Sequence, residues 1–288
     1  MDSNILTQIE EKYASFSKGQ RRIADYILKN YDKAAFMTAT KLGSSADISE
    51  STVVRFASEL GYSGYPEMKR ALQSVVRKRL TSVQRIEVSK DLLENSDILS
   101  AVLSADIEQI NMTMQEAVRE DFKKAVDAIV SAKHIYVFGL RSSSALAGFM
   151  GFYFNLLFDN VRVVNEYSMS DVFEQIMRVG DGDVFIGLCF PRYSKRTIRA
   201  MHYAKERGAN VIGITDAQSS PIAKIADVTL CARSDMISFV DSLVAPMSIV
   251  NALIVASSAK AKGSDLENDF EKLEKMWSEF DVYENDDV

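Results

Sequence analysis

Between residues 18 and 77 the apolar positions recur every three or four residues, in short runs separated by polar turns. This spacing predicts helices over 20–29, 38–45, 50–60 and 66–77, and Ile5, Ile9 and Tyr13 extend the pattern to an earlier amphipathic helix. From about 78 to 130 the chain is more polar but keeps the helical period, with Leu92, Leu93, Leu99, Leu103, Ile107 and Ile110 in one stripe. Beyond His134 the period changes. Five short aliphatic or β-branched runs, 135–139, 161–165, 184–190, 211–215 and 228–231, alternate with helical segments over 143–158, 169–178, 194–207, 218–226 and 240–261. Strands that alternate with helices predict a five-stranded parallel sheet flanked by helices. At the C-terminus Leu266, Phe270, Leu273, Trp277 and Phe280 form a single apolar seam on a further helix.

These periods divide the chain into an all-α N-terminal domain (1–80), a helical connector (81–120), an α/β domain (121–262) and an amphipathic C-terminal helix (263–288). No Gly/Ser-rich linker marks a boundary, and a helical connector transmits orientation better than a floppy one.

The segment 38–60 has the pattern of a helix-turn-helix. Two short helices crossing at a tight turn need apolar residues where they touch and a small residue at the closest approach. Leu42, Ala46, Ile48, Val53 and Phe56 fall at the inward positions, Gly43 at the approach, and Asp47 at the turn, where it tolerates a left-handed backbone. Ser49 precedes the second helix and can cap its free N–H groups. Ser51, Thr52 and Arg55 are left on the outer face near the helix N-terminus, where side chains reach base edges, with Ser49 and Glu50 at the mouth of the groove. Lys69 and Arg70 are candidate phosphate contacts. An ordinary helical hairpin shares the apolar pattern, so charge matters. Residues 1–80 carry 13 Lys/Arg against 9 Asp/Glu in a chain of net charge −6, and a locally basic module in an acidic protein is the footprint of a nucleic-acid partner.

The 288 residues, 47% hydrophobic and 26% charged, suit a globular protein of one large or two ordinary domains. No run approaches the length of a membrane span, and the polar N-terminus does not read as a signal peptide, so a cytoplasmic protein is expected. Cys189 and Cys231 lie in apolar runs and read as buried thiols. His134 and His202 lack metal-ligand spacing, and neither a metal nor another cofactor is expected.

In a parallel sheet ligands bind outside the carboxyl ends of the strands, at helix N-termini. Three such loops are rich in hydroxyls: Gly139-Leu140-Arg141-Ser142-Ser143-Ser144 after the first strand, Pro191-Arg192-Tyr193-Ser194 after the third, and Thr215-Asp216-Ala217-Gln218-Ser219-Ser220 after the fourth. Any single Ser here reads by itself as a helix cap. Three such loops on one edge, two of them carrying arginine, favour phosphate or carboxylate binding. The candidate ligand-binding residues are Gly139, Arg141, Ser142, Ser143, Arg192, Ser194, Ser219 and Ser220.

The run from Gln20 through Leu28 and the run Ser51-Thr52-Val53-Val54-Arg55-Phe56 resemble the RpiR family of bacterial transcriptional regulators, and the region from about 120 to 255 resembles its sugar isomerase (SIS) domain. The resemblance implies a regulator with a phosphosugar-binding domain, assembled as a homodimer or homotetramer largely through SIS domains, and commonly a repressor relieved by its ligand. It also exposes departures. The family's first loop is Gly-x-Gly-x-Ser; Gly139 and Ser143 match, and Arg141 stands at the second Gly. The family's Ser-Gly-x-Thr after the third strand is Pro191-Arg192-Tyr193-Ser194 here, so only Ser194 keeps a small hydroxyl. The two arginines either grip an anion directly or fill a pocket that no longer takes sugar phosphates.

Double-stranded operator DNA and an anionic effector, a phosphosugar or sugar acid, are therefore the expected partners. The rival reading is a sugar-phosphate isomerase with an accessory helical domain. Isomerisation needs a base within reach of the substrate carbon, and Glu166 and His202 lie outside the three loops, so the chain reads as a regulator and not an enzyme. A third class, a pure protein-interaction module, would show no salt-dependent DNA affinity.

Overall fold

The computed structural model describes residues 5–79, 83–86, 97–166, 171–236, 239–261 and 263–283. Two compact units divide the chain: Met1–Leu103 with Met236–Asp241, and Ser104–Asp235 with Ser242–Val288.

The first unit is helical: α1 (Ile5–Lys12), α2 (Lys18–Lys29), α3 (Tyr31–Ala34), α4 (Ala39–Ala46), α5 (Glu50–Glu59) and α6 (Tyr65–Arg79). Side chains set the helix ends. Ser17 and Gln20 form a reciprocal capping box that starts α2 two residues before the sequence pattern suggests, and the Thr38 hydroxyl accepts the Lys41 N–H at the start of α4. Ile9, Ile23, Ile27, Leu42, Val53, Phe56, Met68 and Leu72 are fully buried in one core, each worth about 2 kcal/mol in area removed from water. The core also takes Met236 from the segment that follows the sheet. In the same unit the Arg85 guanidinium, 1% exposed, bonds the Asp241 carboxylate at 2.8 Å.

The second unit is a doubly covered sheet. After α7 (Ile98–Glu116) and α8 (Arg119–Val130) come β1 (Ile135–Gly139), α9 (Ser143–Leu157), β2 (Val161–Val164), α10 (Val172–Gln175), β3 (Val184–Leu188), α11 (Lys195–Glu206), β4 (Asn210–Thr215), β5 (Val228–Cys231), α12 (Val244–Lys260) and α13 (Gly263–Glu279). The five strands are all parallel, in the order β2-β1-β3-β4-β5. Alternate residues feed two cores: Ile135 and Val137 pack with α8, α9 and α12 on one face, Tyr136 and Phe138 with α11 on the other. Burial on both faces is why these strands read as unbroken apolar runs.

Three sequence expectations change. Residues 218–226 form successive turns, not a helix, because Pro221 has no N–H to bond back along the run; within the turns the Ser220 hydroxyl accepts the Ala223 N–H. Of the helix expected over 169–178, residues 169 and 170 lie outside the described residues, and over 171–178 it is the single turn Val172–Gln175. The stripe of the connector is only partly covered: Leu99, Leu103 and Ile107 are 52–68% exposed on α7 and Ile110 is half-buried. Leu92 and Leu93, also assigned to that stripe, lie outside the described residues. On α13 Phe270, Leu273 and Trp277 are half-buried and Phe280 is exposed, while the Leu266 side chain is not among those described.

Candidate functional site

The α4–α5 turn is built as its spacing demands. Asp47 ends α4 at φ 55°, ψ 50°, and the Ile48 N–H returns to the Gly43 carbonyl at 2.8 Å. A Cβ on Gly43 would stand 2.7 Å from the Ile48 carbonyl oxygen, so only glycine lets the chain reverse this tightly. Arg22 of α2 pairs with the Asp47 carboxylate at 2.6 Å, and the Thr40 hydroxyl donates to Glu50 at 2.7 Å, tying α4 to the first turn of α5. Glu50, placed at the mouth of the groove on sequence grounds, thus also holds the two helices together. Ser49 takes the N-cap position but does not cap in the expected way: its hydroxyl bonds those of Ser51 (3.0 Å) and Thr52 (2.9 Å), not a backbone N–H.

Ser51 and Arg55 are exposed on the outer face of α5, and Thr52 is half-buried at its edge. The Arg55 Nε donates back to the Ser51 carbonyl at 3.3 Å, which lays the guanidinium toward the helix N-terminus. Arg70 is exposed on α6 with its Nε bonded to the Pro66 carbonyl, and Lys69 is half-buried. Sequence reasoning missed Val54 and Ser58, which share the outer face with Ser51 and Arg55; the signal was their three- and four-residue spacing.

The second cluster lies at the carboxyl end of the sheet. Gly139 of β1 pairs with Leu188 of β3, and Leu188 with Ile214 of β4, so the three hydroxyl-rich loops leave adjacent strands side by side. The strand order reverses between β1 and β3, the position where open α/β sheets form their binding crevice. A Cβ on Gly139 would meet the Ser143 carbonyl oxygen at 2.5 Å, which fixes the close turn into α9. Ser143, 5% exposed, opens α9, and the Ser144 hydroxyl bonds the Arg141 carbonyl at 2.6 Å. In the loop after β3 the Ser194 hydroxyl accepts the Thr197 N–H and its N–H meets the Cys189 sulfur at 3.3 Å. Burial pushes the Cys189 thiol up to about 11, so it serves here as packing and not as a nucleophile. Tyr193 donates its hydroxyl to Asp216 at 2.7 Å, joining the second loop to the third.

Arg141 and Arg192 carry the feature that spacing alone did not reveal. Both are exposed, and both adopt left-handed backbone, at φ 56° and 65°. Among the described residues only Asp47 and Asp281 also do so without being glycine. Ser142 and Ser219 are exposed, whereas Ser220 is fully buried with its hydroxyl used for capping.

A cavity of about 190 Å³ lies beside this cluster, at the ends of β4 and β5, lined by Asp216, Gln218, Thr229, Cys231 and Arg233 among others. It includes the start of the third loop and neither of the first two. Glu166 does not stand free as a base: its carboxylate and that of Asp171 flank the Arg196 guanidinium, and hydrogen bonding by the Phe173 N–H, with Arg196 beside it, holds the Asp171 carboxyl below the usual range. His202 is exposed on α11, and His134 bonds Asp183 at 2.9 Å beside the amino ends of β1 and β3. Among the described residues no three His, Cys, Asp or Glu side chains gather as metal ligands, and no helix is long and apolar enough to cross a membrane.

Comparison with known proteins joins the two clusters. The profile of the helix-turn-helix domain, rpiR family, matches residues 3–78, and that of the SIS domain matches residues 128–256. The transcriptional regulator HexR of Pseudomonas aeruginosa is 26% identical over 284 residues, 94% of this chain and 95% of its own, and HexR of Escherichia coli is 28% identical over 230 residues, 79% and 77%. Among solved structures, the Vibrio vulnificus NanR protein complexed with ManNAc-6P aligns with 98% of this chain and all of its own at a TM-score of 0.58 and 21% identity. The sugar isomerase domain of an RpiR transcription factor from Sphaerobacter thermophilus aligns with 62% of this chain and 99% of its own at 0.59 and 28%.

Proposed function

We propose that this chain, which belongs to the RpiR family of helix-turn-helix transcriptional regulators with a SIS domain, is a cytoplasmic repressor that an anionic carbohydrate-derived metabolite, a phosphosugar or sugar acid, releases from its operator. The observation that carries the effector reading is the pair of left-handed arginines at the crevice between β1 and β3. Left-handed backbone costs a residue with a Cβ about 1–2 kcal/mol, and strain of this kind clusters at ligand clamps. Arg141 and Arg192 keep the loop shape a glycine would give and add two cations to it. The hydroxyls of Ser143 and Ser194, with the first turn of α11, supply the neutral donors for a phosphate. That NanR was solved with ManNAc-6P supports a phosphorylated sugar as one arm of the choice.

At the DNA end, Ser49, Glu50, Ser51, Thr52 and Arg55 form the base-facing tip in this reading, and Lys69 and Arg70 bind phosphates. Such a module reads half a palindrome, so the acting form is a homodimer or a pair of dimers. Exposed apolar side chains support this: Ile107 and Met114 on α7, Phe152 on α9 and Val255 on α12 are all more than half exposed. Effector binding acts by its differential affinity for two arrangements of the subunits.

The test is a thermal-shift screen of the full chain against phosphosugars, sugar acids and neutral sugars. A concentration-dependent rise in Tm with an anionic member, absent with its neutral parent, is expected. Stabilisation by neutral sugars alone, or by no anion at all, would overturn the reading.

A further inference from the structure

The outer face of α5 contains one side chain that hydrogen bonding to DNA cannot account for. Ser51, Val54, Arg55 and Ser58 stand at spacings of three, one and three, which places them on one side of the helix, opposite the buried Val53, Phe56 and Ala57. Ser51 and Arg55 offer donors. Ser58 turns its hydroxyl back on the Val54 carbonyl at 3.4 Å. Val54 has only methyl groups to present, and it is 41% exposed. On a solvated helix face valine is a poor choice, because its branched Cβ loses rotamer freedom. Its place, one turn into α5 and directly beside Arg55, is where a recognition helix meets base edges.

Of the four bases only thymine carries a methyl group into the major groove, and an apolar side chain is its complement. We propose that Val54 is a specificity-determining residue that packs on the 5-methyl group of one thymine in each half-site of the operator. This rests on the reading that α5 enters the major groove. Arg55 and Ser51 then supply the hydrogen-bonded part of the same contact, and Val54 excludes water from it. Val54 is not part of the fold's core, so a change there alters base preference and leaves the α4–α5 turn in place.

The test uses the full chain and the duplex it selects from a random-sequence pool. Each thymine of a half-site is replaced in turn by uracil, which removes the methyl group and nothing else. For the unaltered protein, one position per half-site should weaken binding about fourfold, the factor that burying one methylene-sized group supplies. Val54→Ala, whose Tm should be unchanged or higher because alanine favours helix, should lose that same factor on the thymine duplex and show no further loss with uracil. If no uracil substitution weakens the unaltered protein, or if the loss persists in Val54→Ala, the inference is wrong. Arg55→Ala on the same duplex separates the two levels. If it binds as the unaltered protein does, α5 is not the reading helix and the broader reading fails with it; if it loses binding while uracil has no effect, only the thymine contact fails.

Discussion

Arg141 and Arg192 share a backbone conformation that glycine adopts freely and arginine does not. A side chain kept there against its conformational preference should be more useful to binding than to folding. Replacing either by glycine should therefore leave thermal stability unchanged or raise it by about 0.5–1 kcal/mol, since the strain is relieved. The same variants should bind the stabilising anion about tenfold more weakly, the loss of one charge-assisted contact. Calorimetric unfolding and titration of each variant separate the two effects. A fall in stability with unchanged anion affinity would assign the arginines to the fold. The presence of both residues was legible in the sequence as departures from a glycine-bearing pattern. Their left-handed backbone was not, because φ at a loop position is set by the strand and helix it connects and not by its own residue type.

At the scale of elements, the α4–α5 unit was readable because each of its determinants is local. Gly43, Asp47 and the apolar positions Leu42, Val53 and Phe56 all lie within fifteen residues of one another, and the structure uses each as the spacing predicts. The central strands β1, β3 and β4 were readable because both faces of the sheet are buried there, so the runs are apolar without a break. Where reading failed, one cause was local and one was not. The turns over 218–226 follow from Pro221, a local signal that the helix-like composition around it masked. The ion pair of Arg85 with Asp241 joins positions 156 apart within the helical unit, and no periodicity announces it. Removing the partner of a buried cation is costly, so Asp241→Ala should destabilise the helical unit by about 3 kcal/mol. A lower urea midpoint followed by the helical signal would bear this out. An unchanged midpoint would show that the pair adds nothing to stability.

For the molecule as a whole, the charge balance and the two clusters point to a division of labour. The basic N-terminal region carries the helix-turn-helix, and the acidic remainder carries a crevice edged by hydroxyls and arginines. Coupling between two sites is reciprocal, so an effector that loosens the operator must itself bind more weakly when operator is present. The central claim is that Arg55 serves the output and Ser143 and Ser194 the input. The measurement that bears on it most directly is operator affinity, by fluorescence anisotropy, with and without the anion that stabilises the protein, for the unaltered chain, for Arg55→Ala and for the Ser143→Ala/Ser194→Ala double variant. The anion should weaken operator binding by the unaltered chain about tenfold or more, a typical allosteric coupling. Arg55→Ala should lose specific operator binding and still be stabilised by the anion. The double variant should bind operator normally and ignore the anion. Equal loss of both activities in both variants, or an anion that binds tightly without changing operator affinity, would contradict it.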